Sequence, residues 1–300
     1  MQSPTVKAYL SDVFLDRVKG AYRRALAATS PTEGQWAGHN ERRADVHQAL
    51  LDEDNKALRA VFVDPTTTDL YYGVDRLARS AVRLNETDDF VFEALRDARA
   101  QCAAYQIKRM QELVPTARAV VEIGPGMGRA AYYGHLAGLD YTTIDLPLGI
   151  VAQACFLGRA LGPDALWLAG EDDIPQDGRI KLLYSVPERR FDIALNVDSI
   201  TEMPAAVALD YFRWMAAHAA VFLSINHDLN EFSVANLAAG AKVWVRRPCP
   251  VWHNYIEEVF LMKPTRTPRL LHLARFRASM AIRRFRRGVM RRLPRFAPRS

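Results

Sequence analysis

The sequence lacks several features that define other classes of protein. Cysteine is scarce: Cys102, Cys155 and Cys249 are scattered and odd in number, which argues against a disulfide framework and for reduced thiols in a cytoplasmic protein. No run of about 18 apolar residues is available to span a bilayer. The first residues show no basic region followed by an apolar core, as a secretory signal would. No histidine and cysteine spacing indicates a zinc site. We therefore expect a cytoplasmic protein.

Acidic residues are missing from one part of the chain. Residues 263–300 contain thirteen lysines or arginines and no acid, which leaves 27 of the 40 basic residues and all 34 acidic ones in the first 262. The net charge of +6 thus combines a mildly acidic body with a strongly basic tail. Such an asymmetry indicates an interaction segment rather than a basic fold.

One stretch, residues 119–149, organises the rest of the chain. An apolar run suited to a β-strand carries an acid, Glu122, and a second strand-like run is followed by Asp145. Between them lies a turn with three glycines, Gly124, Gly126 and Gly128. Glycine permits positive φ and lets backbone approach a ligand where a Cβ would collide. Strand, glycine turn, helix, strand and acid form the first unit of a doubly wound nucleotide-binding sheet, with Asp145 placed to bind ribose hydroxyls.

The spacing of the glycines distinguishes this turn from a dinucleotide site. The dinucleotide fingerprint has its third glycine three residues after the second, and that position is Arg129, which disfavours a nicotinamide-dependent oxidoreductase. The pattern E-x-G-x-G-x-G, with Glu122 inside the strand, resembles motif I of the class I S-adenosylmethionine (SAM) methyltransferases. The resemblance implies a ligand with an adenosine and an amino-acid tail. The alternative is a tight strand-to-helix turn that binds nothing.

Helical and strand patterns divide the chain into three parts. Residues 1–114 form an all-helical region that we expect to pack on the catalytic domain, with helices following Ser11 and at 45–61, 70–84 and 88–113. Residues 115–262 alternate strands and helices and end in a pair of strands. This order predicts an α/β, Rossmann-like sheet of about seven mostly parallel strands, whose third strand is either 165–169 or 180–184. Residues 263–300 form the basic tail.

Polar side chains are expected where the parallel strands end, because ligands of such sheets bind at the carboxyl ends of the strands. Two further segments belong to this rim, 196–202 and 226–228. His227 has an unperturbed pKa near neutrality and is the best general base for a hydroxyl; the alternative is a surface or helix-capping histidine. Asn196, at the end of a buried strand, joins the cofactor-binding candidates.

Asp198 and Glu202 admit three interpretations. They cap the following helix, they orient His227 or an acceptor hydroxyl, or with Asp228 they hold a hard cation such as Mg²⁺. The sequence leaves these alternatives open.

Several motifs in the same order give a closer resemblance, to the putative sugar O-methyltransferase family. They are EIGPGMG (122–128), IDLP (144–147), NVDSITEMP (196–204), LSINHD (223–228) and PVW…YIEE (250–258). The resemblance covers about residues 100–262. It implies that Glu122, Gly124, Gly126, Gly128 and Asp145 bind SAM. It also implies that the segments at Asp198 to Met203 and Asn226–His227 lie on the acceptor side.

The tail has an apolar periodicity of its own. Between Arg269 and Leu293, apolar residues recur every three or four positions with arginines between them, the pattern of a basic amphipathic helix. Such a helix, at about residues 268–293, can bind an anionic membrane surface or pack on a partner subunit or its own domain. Nucleic acid is disfavoured, because aromatic interleaving and a known RNA-binding motif are absent.

These features predict an enzyme that transfers a methyl group from SAM to a hydroxyl of a sugar or glycoconjugate. His227 would be the base and Asp198 its orienter, with Glu202 or Asp228 as metal or hydroxyl ligands. One alternative is an RNA methyltransferase that uses the tail, although residues 196–199 do not form the Asn/Asp-Pro-Pro-Tyr tetrapeptide of amino-directed enzymes. The other is a SAM-binding scaffold subunit without catalysis.

Overall fold

The structure is a computed structural model that describes residues 11–28, 44–63, 98–175, 177–237 and 241–262. Three predicted segments lie outside these ranges: the helix at 70–84, residues 88–97 of the helix at 88–113, and the basic tail at 263–300. Within the described ranges, no helix combines the length and the apolar composition needed to cross a bilayer.

The described residues form an eight-stranded sheet flanked by helices. The strands are β1 (Ala119–Ile123), β2 (Asp140–Ile144), β3 (Leu166–Leu168), β4 (Ile180–Leu183), β5 (Phe191–Val197), β6 (Ala219–His227), β7 (Val243–Pro248) and β8 (Tyr255–Leu261). The helices are α1 (Asp12–Ala28), α2 (Ala44–Leu51), α3 (Asn55–Val63), α4 (Ala98–Leu113), α5 (Arg129–Leu136), α6 (Pro147–Leu161), α7 (Ala205–His218) and α8 (Val234–Leu237). This is the α/β, Rossmann-like class that the sequence predicts.

The topology of the sheet locates a binding crevice. The strands lie in the order β3-β4-β2-β1-β5-β6-β8-β7; β1 to β6 are parallel, and β8 runs antiparallel between β6 and β7. From β1 the chain winds outward through β2 towards one edge and then returns to β5 on the other side of β1. Ligands of such sheets bind outside the carboxyl ends of the strands where the winding reverses. The crevice is therefore expected above β1 and β5.

The prediction of about seven strands, with a single third strand, is corrected by the structure. Both of the apolar runs at 165–169 and 180–184 contain strands: β4 pairs with β2, and β3 pairs with β4 at the edge of the sheet. Both are short and apolar, so each satisfies the pattern of a buried strand. The extra edge strand brings the sheet to eight.

The predicted helix at 45–61 is also corrected, because the structure has two helices there. Asp54 Oδ1 accepts hydrogen bonds from the amides of Lys56 and Ala57, which is how an aspartate at an N-cap starts a helix. Glu53, with a φ of 56°, makes the turn before it. The apolar periodicity continues across this break, which is why the sequence suggested one helix.

Alternating strand residues divide the core into two layers. Val120 and Leu195 face the layer that contains α1, α4, α5 and α6, while Val121 and Ala194 face the layer of α7 and α8. All four side chains are fully buried. A parallel strand buried on both faces is apolar at nearly every position, and β1 and β5 have this character.

Specific polar contacts join the N-terminal helices to the sheet. From α1, Arg17 binds the Glu171 carboxylate with Nε at 2.6 Å and donates to the carbonyl of Leu166 at the start of β3. From α4, Arg109 forms a buried ion pair with Glu257 of β8 at 2.9 Å, and the Tyr105 hydroxyl also donates to that carboxylate. A buried pair tolerates loss of one partner poorly, because the other charge is left uncompensated.

Candidate cofactor and acceptor site

The predicted site residues lie at the carboxyl ends of four neighbouring strands. β1 leads into the glycine turn, Asp145 follows β2, Asp198 follows β5, and His227 ends β6. Because β8 is antiparallel to β6, its first residue, Tyr255, lies at the same edge and pairs with His227. The sheet thus brings distant parts of the chain to one rim.

The glycine turn has the backbone geometry that its sequence predicts. The φ angles are 63° at Gly124, 58° at Gly126 and 78° at Gly128. A Cβ on Gly124 would overlap the Ser199 hydroxyl and lie 2.6 Å from the Ser199 Cβ, whereas a Cβ on Gly126 would meet no atom within 4 Å. Gly128 is the N-cap of α5 and leaves the first turn without a side-chain cap. Amides at such a helix start favour an anionic ligand group.

Glu122 lies beneath this turn rather than at its surface. The residue is 3% exposed, and its Oε2 accepts a hydrogen bond from the Tyr141 hydroxyl at 2.9 Å. Burial raises the pKa of Glu122 to about 8; the Tyr141 bond opposes this rise, and the charge of Asp145 adds to it. At neutral pH the carboxyl is therefore mostly protonated, as expected for an acid inside an apolar strand.

Asp145 is held against the first turn of α6. Its Oδ1 accepts from the amide of Leu146 and its Oδ2 from Nε2 of Gln153, both at 2.8 Å. Gly149 allows this approach, since a Cβ there would lie 2.5 Å from the Asp145 Cγ. Burial raises the pKa of Asp145 to about 7 despite these two bonds. Each carboxylate oxygen has two lone pairs, so one on each oxygen is left for a ligand hydroxyl.

Asn196 connects the loops of the rim through a network of hydrogen bonds. Its Nδ2 donates to the carbonyl of Ile123 at 2.8 Å and to the Ser199 hydroxyl at 2.5 Å, and its Oδ1 accepts from Nδ2 of Asn226 at 3.0 Å. The Thr201 hydroxyl donates to Asn226 Oδ1 at 3.1 Å. Asn196 and Asn226 are buried. Asn196 therefore fixes the end of β1 relative to the loop after β5.

Asp198 and Tyr255 are joined by a direct hydrogen bond at this rim. The Tyr255 hydroxyl donates to Asp198 Oδ2 at 2.6 Å. The pKa of Tyr255 is raised mainly by burial and secondly by this bond. Asp198 has a φ of 51°, a left-handed conformation that aspartate tolerates better than most residues. Its amide donates to the Ile225 carbonyl at 3.0 Å. The predicted pairing of Asp198 with His227 is thus replaced by a direct bond from Tyr255.

His227 lies next to this pair in a defined tautomer. Its ring meets the Tyr255 ring edge-on, with centroids 5.0 Å apart. The backbone amide of Leu229 donates to His227 Nδ1 at 3.1 Å. A backbone amide can only donate, so in the neutral imidazole the proton resides on Nε2. In this arrangement Nε2 is a hydrogen-bond donor.

The predicted helix-capping and metal arrangements of the acidic residues are not formed. α7 begins after Pro204 and has no side-chain cap, and the Asp198 carboxylate binds Tyr255 instead. Glu202 and Asp228 are exposed. No three His, Cys, Asp or Glu residues come together as a metal-binding group within the described ranges, so the predicted set of Asp198, Glu202 and Asp228 is not assembled.

Two functional candidates were missed at the sequence level. Tyr255 and Trp252 were noted only as part of a family motif. In the structure Tyr255 contacts both Asp198 and His227, and Trp252 packs on Tyr255. Their rings are stacked, with centroids 4.3 Å apart and planes 7° from parallel. The signal was indirect: a final antiparallel strand must start at the edge where the parallel strands end.

The residues of the rim fit the ribose and the amino-acid tail of the ligand that the motif implies. The open space at Gly126 admits a ligand against bare backbone, and the uncapped start of α5 suits a carboxylate. Asp145 provides acceptors for two hydroxyls at the end of β2. The donor set is thus chemically consistent with the SAM that the motif implies.

Comparisons with known proteins give matches among solved structures. ChlM, the magnesium protoporphyrin IX methyltransferase of Synechocystis PCC 6803 solved with SAM, is 14% identical over 65% of this chain and 94% of its own, with a TM-score of 0.39. The glycopeptide N-methyltransferase MtfA is 14% identical over 53% and 86%, with a TM-score of 0.41. An O-methyltransferase family protein of Burkholderia thailandensis is 16% identical over 60% and 61%, with a TM-score of 0.40.

No protein-family model matches the chain, and no curated protein matches its sequence. Similarity at the level of these structures concerns the fold and nothing finer. These three proteins are a methyltransferase solved with bound SAM, an N-methyltransferase and a member of an O-methyltransferase family.

Proposed function

We propose that the protein is a SAM-dependent O-methyltransferase that acts on a hydroxyl of a sugar or glycoconjugate. The observation that carries the proposal is the glycine turn above a buried acid, placed where the winding of the sheet reverses, with Asp145 at the end of the next strand. The sugar acceptor rests on the sequence resemblance.

The chain offers complementary groups to the amino-acid tail and the ribose of the cofactor. The backbone at Gly124 to Gly128 receives the amino-acid tail, with the start of α5 next to its carboxylate. Asp145 accepts hydrogen bonds from the ribose hydroxyls. Asn196 keeps the turn and the loop after β5 in register, and Glu122 supports the turn from below. When bound, SAM supplies a methyl group activated by its sulfonium charge.

The acceptor side must orient a hydroxyl and take its proton as the new bond forms. Two groups have the required chemistry: His227, the predicted base, and the carboxylate of Asp198. His227 accepts a proton only at Nδ1, and only after it releases the amide of Leu229. Asp198 is a carboxylate with one oxygen bound by Tyr255. Both lie within contact of the same tyrosine.

The basic tail is proposed to bind an anionic membrane surface or a partner subunit. Residues 268–293 carry the arginines and the apolar periodicity for either interaction. This interaction would bring the enzyme to a membrane-linked glycoconjugate or to a complex, and it is independent of the chemistry at the rim.

Calorimetry with SAM and its demethylated product tests the cofactor assignment. We expect the wild-type chain to bind both, and Asp145→Asn to bind at least tenfold more weakly, because an amide replaces one hydroxyl acceptor by a donor. Asp210→Asn, an exposed change on α7, is the control. Absence of binding by the wild-type chain would overturn the proposal.

Radiolabelled SAM, incubated with a panel of glycosides and nucleotide sugars, tests the reaction. Label transferred to a sugar hydroxyl is the expected result. Binding of SAM without transfer to any acceptor would indicate the scaffold alternative, and transfer to RNA added in parallel would indicate the nucleic-acid alternative.

A further inference from the structure

Tyr255 occupies a position that fixes its hydroxyl in one place. Its ring is stacked on Trp252 at 4.3 Å and meets the His227 ring edge-on at 5.0 Å. Its backbone is held at the start of β8, paired with His227 of β6. A tyrosine with two aromatic neighbours and a strand backbone has little rotational freedom. Its hydroxyl can therefore act as a rigid anchor for the group that it contacts.

That group is the carboxylate of Asp198. The hydroxyl donates to Oδ2 at 2.6 Å, a length typical of a hydrogen bond to a charged oxygen. Within the described residues, Oδ2 has this bond while Oδ1 has none. One oxygen is thus used for positioning, and the other keeps its lone pairs.

The backbone of Asp198 is constrained as well. Its φ of 51° is unusual for a residue other than glycine, and its amide bonds to the carbonyl of Ile225 in β6. Left-handed residues at the end of a strand cost free energy and are concentrated at functional sites. Backbone and side chain are therefore each held by a separate bond to the neighbouring strands.

His227 lacks a free lone pair in this arrangement, because Leu229 occupies Nδ1 and the proton is on Nε2. The adjacent acceptor of protons is Asp198. We infer that Tyr255 is a positioning residue that holds Asp198 so that its Oδ1 takes the proton of the acceptor hydroxyl. This inference rests on the proposed function and changes the assignment of the base within it.

As the acceptor oxygen forms its bond to the methyl carbon, the methyl–sulfur bond breaks and its electron pair stays on sulfur. The hydroxyl proton passes to Asp198 Oδ1 and then to solvent. Nε2 of His227 donates a hydrogen bond to the acceptor without changing its own protonation.

A double-mutant cycle tests whether Tyr255 acts through Asp198. Tyr255→Phe removes the hydroxyl but keeps the ring between Trp252 and His227, and we expect kcat to fall about tenfold. Asp198→Asn should lower kcat on the order of 100-fold or more. In the double variant we expect no loss beyond that of Asp198→Asn, because the anchor has lost the group it positions.

Tyr22→Phe is the matched control. It removes another buried tyrosine hydroxyl, bonded to His47 in the N-terminal helices, and should leave kcat unchanged. If the fold-losses in kcat from Tyr255→Phe and Asp198→Asn multiply in the double variant, the two residues act independently. That result would overturn the inference and identify Tyr255 as a structural residue. An unaltered kcat in Asp198→Asn would also overturn it.

Two further measurements keep the inference separate from the proposed function. SAM affinity of all four variants should match the wild type, since none removes a cofactor contact. The same cycle measured on unfolding free energy reports the Tyr255–Asp198 bond without any acceptor, and zero coupling there would contradict the geometry. A wild-type chain that binds no SAM would overturn the proposed function, and this inference with it.

Discussion

Because Glu122 is buried, its contribution to the free energy of unfolding depends on pH, unlike that of an exposed acid. Its folded pKa of about 8 exceeds the ordinary value of 4.5, so between these values the folded chain keeps a proton that the unfolded chain has lost. The stability contributed by this group is complete below pH 4.5 and is lost as the pH rises through 8. Buried carboxyls of this kind are tolerated at a strand position because they remain neutral.

Glu122→Gln should remove this dependence. The neutral amide keeps the shape of the protonated acid. The difference in unfolding free energy, variant minus wild type, should therefore increase by several kcal/mol when the pH is raised from 5 to 9. Chemical denaturation of both proteins at pH 5 and at pH 9 measures this difference. Glu231→Gln, at an exposed position, is the control. If the difference were the same at the two pH values, Glu122 would not titrate between them.

His227 is the residue where sequence and geometry lead to different chemistry. The sequence predicts a base, and the tautomer in the structure predicts a donor through Nε2. His227→Ala should lower turnover strongly and leave SAM affinity nearly unchanged under both assignments. His227→Gln separates them, because glutamine supplies an N–H donor at a similar reach and cannot act as a base.

We expect His227→Gln to keep at least tenfold more activity than His227→Ala. Single-turnover rates with SAM and the acceptor found in the label assay give this ratio. Equal losses in the two variants would restore His227 as the base. Parallel losses of turnover and SAM affinity would instead indicate a structural histidine.

At the scale of an element, the turn between β1 and α5 depends on Gly124 for two separate reasons. Its φ is positive, and a Cβ would collide with Ser199. Gly138, in the turn before β2, has a φ of 74° and no atom within 4 Å of such a Cβ. Substitutions at Gly124 and Gly138 therefore separate the cost of backbone strain from the cost of a steric collision.

Gly138→Ala should cost about 1–2 kcal/mol of unfolding free energy from strain alone. Gly124→Ala should cost at least about 1 kcal/mol more, because Ser199 must move as well, and it should abolish detectable SAM binding while Gly138→Ala retains it. Denaturation and calorimetry on both variants check these outcomes. Equal costs, with binding intact, would show that the loop after β5 yields easily.

Much of the unit formed by β1, α5 and β2 could be predicted from sequence because its signals are local. The acid, the glycines and Asp145 lie within one strand–helix–strand unit, where spacing translates directly into geometry. The break between α2 and α3 was missed although its cause, the capping by Asp54, is also local, because the apolar periodicity on both sides is the stronger signal. The choice between two short apolar runs for the third strand was undecidable, since strand pairing is a long-range property.

At the scale of the whole molecule, the unpredicted part of the site is the part made by distant strands. Asn196 and Asn226 were on the expected rim, but their mutual bond depends on the pairing of β5 with β6. Tyr255 reaches Asp198 only because β8 inserts between β6 and β7. No spacing along the chain encodes that insertion. The sequence thus predicts the geometry of the glycine turn and Asp145 better than the contact between Tyr255 and Asp198.

The charge asymmetry of the chain also belongs to this scale, and it predicts binding to anionic vesicles. Full-length protein should sediment with vesicles of phosphatidylserine and phosphatidylcholine, more weakly as salt increases, and not with phosphatidylcholine alone. Replacement of four tail arginines by glutamine, at Arg283, Arg284, Arg286 and Arg287, should weaken binding on the order of 1,000-fold, since each basic residue near such a surface contributes about 1 kcal/mol.

A matched control removes the same charge from the body, at Arg23, Arg179, Arg190 and Arg213, and should keep binding near the wild-type level. Equal losses in the two variants would show that net charge, not the tail, drives association. Should the wild-type chain ignore the vesicles while the tail variant changes its sedimentation coefficient, the tail is a subunit contact. Loss of RNA binding in the tail variant alone, steep in salt, would instead assign the tail to nucleic acid.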